Sequence, residues 1–254
     1  MHIEWNKITW YSKITAIGLF VLVFYVGYYL GQKKKTVNPD DGTTPKQVVN
    51  TPPSISITSK TIKEDNWSGK VAVVSGTNTL AAKSREYVDK TVADFRKQAN
   101  TDVPAMRLEF GTETPPQYEL NIDAKYIKGT KAESVVMSVY TYTGGAHGNS
   151  SYKVISASLT SGKILSLSSI IKTDKQVAFT DLVKKELNNW KPDGNSVSPV
   201  FPEEVKALKF ASFTNWSLDD KYVTLYFSQY EIGPGVLGPI AFPLSLDKVK
   251  NFLN

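Results

Sequence analysis

ESVVMSVYTYTGGAHGNSSYKVISASLTSGKIL, residues 133–165, decides the architecture of this chain. Residues 133–143, rich in Val, Met, Tyr, Ser and Thr, form a strand-like run. SYKVISASL at 151–159 has the same character, and Ser161-Gly162 is a turn signal before the next apolar run. Between the two strands stand Gly144, Gly145, Ala146, His147 and Gly148. Glycines at this density let the backbone take positive φ or approach another surface closely. Tyr140 and Tyr142 share one strand face just before this tip. The segment therefore reads as antiparallel hairpins with His147 at a loop tip.

Outward from it, ISITSKTI after Ser54 and KVAVVSG at 70–76 read as two more strands. Residues 79–99 place Leu80, Tyr87/Val88, Val92, Phe95 and Ala99 at helical steps, and Asp102 and Pro104 are expected to close that helix. MRLEFG from 106 and YELNIDAKYI at 118–127 look strand-like. A second helix is expected at 174–190, with Val177, Leu182/Val183, Leu187 and Trp190 on one face beside Glu186. EEVKALK at 203–209 reads as a short helix. FASFTNWSL and YVTLYFSQYEI read as strands flanking Asp219-Asp220, a turn signal. A GPGVLGP loop, the IAFPL strand and a short terminal helix from Leu246 to Leu253 complete the chain. Strands and helices come in groups, so the expected class is α+β. It has an antiparallel sheet, two main helices and a short C-terminal helix, in halves 54–143 and 144–254.

The N-terminus has a different chemistry. Ile14 to Leu30 carry no charge, and nineteen uncharged residues separate Lys13 from Lys33. As a helix this stretch spans about 28 Å, close to a bilayer's hydrocarbon core. Trp10 and Tyr11 flank one end and Tyr28 and Tyr29 the other, as interfacial rings do. GYYLGQKKK offers no small-x-small cleavage site. One transmembrane anchor over 14–32 is expected, after a tail at 1–13 and before a Pro- and Thr-rich linker at 33–53. The lysine flanks alone favour a cytoplasmic C-terminal side. A long domain crosses largely regardless of such charges, so the expectation is N-terminus cytoplasmic and domain extracellular, single-pass at the plasma membrane.

Of the net charge of +6, half lies in residues 1–53, where Lys33, Lys34 and Lys35 can meet anionic headgroups. The remainder is nearly balanced, and Arg occurs only at 85, 96 and 107, so nucleic-acid binding is not expected. Absent cysteines exclude disulfides, thiolate nucleophiles and cysteine-held metals. With His2 and His147 as the only histidines, a histidine zinc site cannot form beyond the membrane. No G-x-S-x-G elbow and no phosphate loop is present. No cofactor or metal is expected. Two-carboxylate glycoside chemistry survives, but Glu203-Glu204 and Asp219-Asp220 sit in helix and turn contexts. For 140–152 three readings stand: a specialised turn whose histidine caps carbonyls, a recognition tip of tyrosines and imidazole, or catalysis.

Tyr140-x-Tyr142-x-Gly144-Gly145-Ala146-His147-Gly148, then Leu159 to Leu165, then Phe227-x-x-Tyr230-Glu231-Ile232-Gly233-Pro234-x-x-x-Gly238 occur in this order. In that order they resemble the PdaC/RsiV-type extracellular domain family. That region precedes the catalytic domain of a peptidoglycan deacetylase and forms the outer part of a lysozyme-sensing anti-sigma factor. The resemblance covers about residues 54–254. It implies an extracellular domain, with Tyr140, Tyr142, Gly144, Gly145, His147, Gly148, Tyr230, Glu231 and Pro234 as candidate binding residues. Neither family output is expected, since a metal-binding catalytic domain and a sigma-binding segment are both missing from these residues. Where the family has Tyr-Ala after Tyr-Glu-x-x-Pro, Gly235-Val236 stands here. The expected function is a non-catalytic binding module for peptidoglycan or a lysozyme-like protein. A carboxylate-dependent wall hydrolase and a structural envelope protein are the alternatives.

Overall fold

The computed structural model describes residues 55–110, 117–192 and 197–254. The tail, anchor and linker expected over 1–53 lie outside these residues. Among the described residues no helix is long and apolar enough to cross a membrane.

Six strands form the first sheet, in chain order across its width: β1 (Ile55–Lys63), β2 (Trp67–Gly76), β3 (Tyr118–Lys128), β4 (Ala132–Tyr142), β5 (Asn149–Ser158) and β6 (Ile164–Leu165). The expectation of an antiparallel sheet needs one correction: β2 and β3 run parallel. Their connection is the long helix α1 (Thr79–Phe110), and a crossover of that length is what parallel neighbours require. The sheet is therefore mixed. MRLEFG is corrected with it, because residues 106–110 belong to α1 and not to a strand. Pro104 lacks the N–H that would bond one turn back. Yet Val103 is buried and Met106 packs on the same core, continuing the step from Val92, Phe95 and Ala99. That contact carries the helix past the proline.

The start of α1 is fixed chemically. Asn78 Oδ1 accepts the Ala81 N–H at 2.8 Å, an N-cap, and its amide donates to the buried Glu133 carboxylate on β4. Tyr126 Oη donates to the same carboxylate at 2.6 Å. On β4, Val135, Met137 and Val139 face the core under α1, while Val136 faces away and packs with Val154 and Tyr226. Strand alternation puts Ser134, Tyr140 and Tyr142 on that second face.

A three-stranded antiparallel sheet follows, from β7 (Trp216–Leu218), β8 (Tyr222–Phe227) and β9 (Ile240–Ser245). Short helices α2 (Leu167–Ile170), α4 (Pro202–Ala207) and α5 (Leu246–Val249) and the longer α3 (Gln176–Asn188) complete this part. The face of α3 differs from expectation: Phe179, Thr180, Val183 and Leu187 are buried, whereas Val177 is 76% exposed. Phe179 is the reason. Its ring meets Phe210, Phe213 and Phe252 edge-on at 6.2, 6.2 and 5.9 Å, and this cluster fixes the helix's rotation. FAS at 210–212 is a 3-10 turn and not strand, and the terminal helix is α5 followed by a 3-10 turn at Lys250–Phe252.

Buried polar bonds join the two parts. Ser134 Oγ donates to Ser156 Oγ, which donates to the Trp216 carbonyl, both at 2.8 Å. Val154 N–H, on the edge of β5, donates to Asn215 Oδ1 at 3.0 Å. The first sheet takes in residues on both sides of 143/144, and the second core draws mainly on residues after β6, joined by Ala132 of β4 and Leu165 of β6.

Candidate functional site

The rows of side chains on the second face of β3, β4 and β5 end at the loop expected to carry the site. Glu119 pairs in register with Tyr142, and Asn121 with Tyr140. These four share one face as close cross-strand neighbours. Beyond β4 the chain turns at Gly144, whose φ of 86° is a backbone setting that favours glycine. His147 then comes out at the tip, exposed, and Gly148 passes beneath, buried. An alanine Cβ at Gly148 would fall 2.3 Å from Tyr140 Cε2 and Cζ, so the glycine lets that ring lie against the backbone.

The opposite wall comes from the loop between β8 and β9. Gln229 N–H donates to the Ser150 carbonyl, and Ser150 N–H donates to Gln229 Oε1, each at 2.9 Å. The Gln229 amide also donates to the Gly235 carbonyl at 2.8 Å. Tyr230 follows in a left-handed conformation, φ 68°, which costs a non-glycine residue about 1–3 kcal/mol. Its ring crosses Gly235 as Tyr140 crosses Gly148, since a Cβ there would lie 2.2 Å from Tyr230 Cζ. The ring is 51% exposed and reaches His147, with Oη 3.1 Å from Nε2. His147 Nδ1 lies 2.9 Å from the Gly148 carbonyl and must donate to it. In the neutral ring Nε2 is then an acceptor, and Tyr230 supplies the proton. His147 is thus bound to a local carbonyl and is part of an exposed aromatic tip.

Together these groups frame an open cavity of about 510 Å³, lined by Glu119, Tyr140, Tyr142, His147, Gly148, Ser150 and Gln229 among others. Tyr140, Tyr142, His147 and Gly148 from the expected set line it; Tyr230 joins through His147 and lies over Gly235. Glu231 turns back to accept the Ser228 N–H at 2.6 Å. Burial of its carboxylate end pushes its pKa up, against the lowering pull of that bond. Pro234 opens the 3-10 turn at Gly235–Leu237, and Gly144 and Gly145 shape the tip without lining the cavity. Glu119, Ser150, Gln229 and Gly235 were not foreseen. Glu119 and Ser150 reach the site only through strand register, which one sequence does not reveal.

Glu119 is held in place. Asn121 donates to Glu119 Oε1 at 2.6 Å, while Asn121 Oδ1 accepts Lys70 N–H at 2.9 Å across the parallel seam. The other acid pairs lie elsewhere. Asp219 Oδ1 accepts the N–H groups of Lys221 and Tyr222 in the β7–β8 turn, and Asp220 accepts Thr130 N–H. Glu203 and Glu204 lie in the first turn of α4. Among the described residues no three acid or histidine side chains are grouped to hold a metal ion. A larger groove of about 740 Å³ runs between β5–β6 and residues 210–216, but its walls are mainly apolar and none of the expected residues lines it.

Residues 44–150 match the family model described as deacetylase PdaC, and residues 168–247 match that of a protein of unknown function, DUF3298. The peptidoglycan-N-acetylmuramic acid deacetylase PdaC of Bacillus subtilis is 25% identical over 177 residues, covering 66% of this chain and 35% of that protein. The chain thus spans about a third of that relative's length. DUF3298-family crystal structures from Bacteroides fragilis and Pseudomonas aeruginosa align with TM-scores of 0.52 and 0.54 at 16% and 14% identity. Each alignment covers 79% of this chain and 94% of the other, a likeness of fold. A region that matches the PdaC model is thus followed by one that matches the DUF3298 model, and together with the PdaC relative these matches support a PdaC-type domain family.

Proposed function

We propose that this chain is a membrane-anchored recognition module on the outer side of a bacterial cell envelope, which holds cell-wall glycan in the cavity beside His147 and performs no catalysis itself. The observation that carries this reading is the exposure of the tip. His147 and Tyr230 are exposed beside a cavity lined by Tyr140 and Tyr142. Tyrosine rings with apolar faces and polar rims suit sugar rings, and Ser150 and Gln229 add hydrogen-bonding edges. Glu119 is the carboxylate among the lining residues, whereas glycoside hydrolysis requires two facing the bond. That the relative is a peptidoglycan deacetylase supports a wall polymer as the ligand class. Residues 14–32 would hold the domain at the membrane and the linker would let it reach the wall.

The test is co-sedimentation of the full chain, in detergent, with purified peptidoglycan. Wild type is expected in the pellet, and His147→Ala and Tyr140→Ala in the supernatant. No retention of wild type, or equal retention of all three, defeats the reading. A parallel column of immobilised lysozyme decides the protein-partner alternative: retention there alone would transfer the site to a protein ligand. Protease treatment of intact cells tests the topology, since an outward domain is cut and an inward one is not.

A further inference from the structure

We propose that the cavity selects a ligand bearing a primary ammonium group, with Glu119 as its anionic partner; this rests on the reading of the cavity as a wall-polymer site. The chain has 30 Lys and Arg against 24 acids, yet no Lys or Arg is among the residues lining the cavity, and Glu119 is. The carboxylate is half-buried and pre-set: Asn121 binds Oε1, and among the described residues Oε2 receives no hydrogen bond. Asn121 is itself fixed by Lys70 N–H. A carboxylate oriented by a second residue and left with one open oxygen is an acceptor waiting for a donor.

Its surroundings narrow the donor. Tyr142 stands directly across the strand pair from Glu119, and Tyr140 lies on the same face two residues away. Aromatic faces beside a carboxylate stabilise an organic cation through the ring quadrupole. A divalent metal would need about six oxygen ligands, and one carboxylate with neutral neighbours does not supply them. His147 does not compete for Glu119, because its two nitrogens are engaged by the Gly148 carbonyl and Tyr230. On a wall polymer the fitting group is the free amine of a de-N-acetylated amino sugar or the side-chain amine of a stem peptide. Both are primary ammonium ions, and the probes separate them.

The experiment is calorimetric titration of the full chain in detergent with a glucosamine tetramer, its fully N-acetylated twin and Nα-acetyl-lysine amide, whose side-chain amine is free. The expected result is binding of at least one amine probe about tenfold or more tighter than the N-acetylated tetramer, the scale of a charge-assisted bond. Glu119→Gln is expected to erase that preference. Glutamine keeps an oxygen for Asn121, so an unchanged thermal melt shows that the fold survives. A tighter glucosamine tetramer assigns the sugar amine, and a tighter lysine amide assigns the peptide amine. Equal or tighter binding of the N-acetylated tetramer overturns the ammonium assignment, as does a preference that survives Glu119→Gln. Peptidoglycan sedimentation separates the two ideas: wild type and Glu119→Gln retained alike removes the ammonium assignment alone, whereas no retention of wild type removes the wall-polymer reading.

Discussion

Gly148→Ala separates the placement of a ring from the stability of the fold. The new Cβ would lie 2.3 Å from Tyr140 Cε2 and Cζ and 2.4 Å from Oη. To reach an ordinary carbon–carbon separation of about 3.5 Å the ring must retreat by about 1.2 Å. Gly148 has no positive φ, so alanine brings no backbone strain. Replacing glycine narrows the unfolded ensemble, a gain of about 0.4–1 kcal/mol. Pushing Tyr140 off its rotamer costs about 0.5–1.5 kcal/mol. These nearly cancel, so urea unfolding should place the variant within about 1 kcal/mol of wild type. Peptidoglycan affinity should fall about 3- to 10-fold, the scale of one lost aromatic contact. Nuclear Overhauser contacts between residue 148 and the Tyr140 ring report whether the ring has moved. A destabilisation above about 3 kcal/mol would show that the ring cannot retreat. Undiminished affinity with a displaced ring would show that Tyr140 plays no part in holding the ligand.

Gly69→Ala should behave oppositely: its Cβ would lie 1.8 Å from the Leu120 carbonyl oxygen, a backbone atom on the parallel seam that has nowhere to go, and soluble folded protein should be lost. Phe179→Ala removes a ring with no exposure and three edge-on aromatic neighbours, and should cost about 3–5 kcal/mol in a urea titration. Ser156→Ala leaves the Trp216 carbonyl and the Ser134 hydroxyl without their buried partner, for an expected loss of about 1–3 kcal/mol. Burial raises the pKa of Tyr152 and of Tyr226, so folding favours their neutral forms. Stability should hold below the unfolded tyrosine value of about 10 and fall as pH rises through the raised folded values. Tyr226→Phe should flatten that alkaline loss, read by circular dichroism beside tyrosinate absorbance, and an unchanged profile would exclude Tyr226 as its source.

What the sequence revealed follows from which interactions are local. The β4–β5 hairpin was readable because strand-forming composition and a glycine-rich tip are both local signals. The two-residue period of a strand puts Tyr140 and Tyr142 on one face, where they lie. Pro104 misled because helix propensity is also local, whereas the core contacts of Val103 and Met106 that carry α1 onward are not. Once α1 runs to Phe110 it forms the crossover that makes β2 and β3 parallel, so one local misreading became a topological one. The phase of α3 failed for a related reason. Val177 and Phe179 are both apolar, and only the distant rings of Phe210, Phe213 and Phe252 select Phe179. Glu119 stayed hidden because an acid at the start of a strand looks solvated until Tyr142 is known to stand across from it.

The cavity is a product of the junction between two cores rather than of either one. Glu119, Tyr140 and Tyr142 come from the first sheet, while Gln229, Tyr230 and Gly235 come from the loop after β8. Gln229 couples them through one side chain and one N–H: it satisfies both backbone groups of Ser150 and braces the Gly235 carbonyl. That brace holds Gly235 under Tyr230, and Tyr230 in its left-handed setting reaches His147. The strain at Tyr230 is therefore sustained by contacts reaching back to the first sheet. If the two cores separated, Ser150 would lose its partner and the setting of Tyr230 its support, and the wall of the cavity would go with them. The regions matched at 44–150 and 168–247 fall on either side of this junction. On the proposed reading of the cavity, a site built across this junction binds only when both regions are folded and docked, so their pairing in one chain would serve recognition as well as stability.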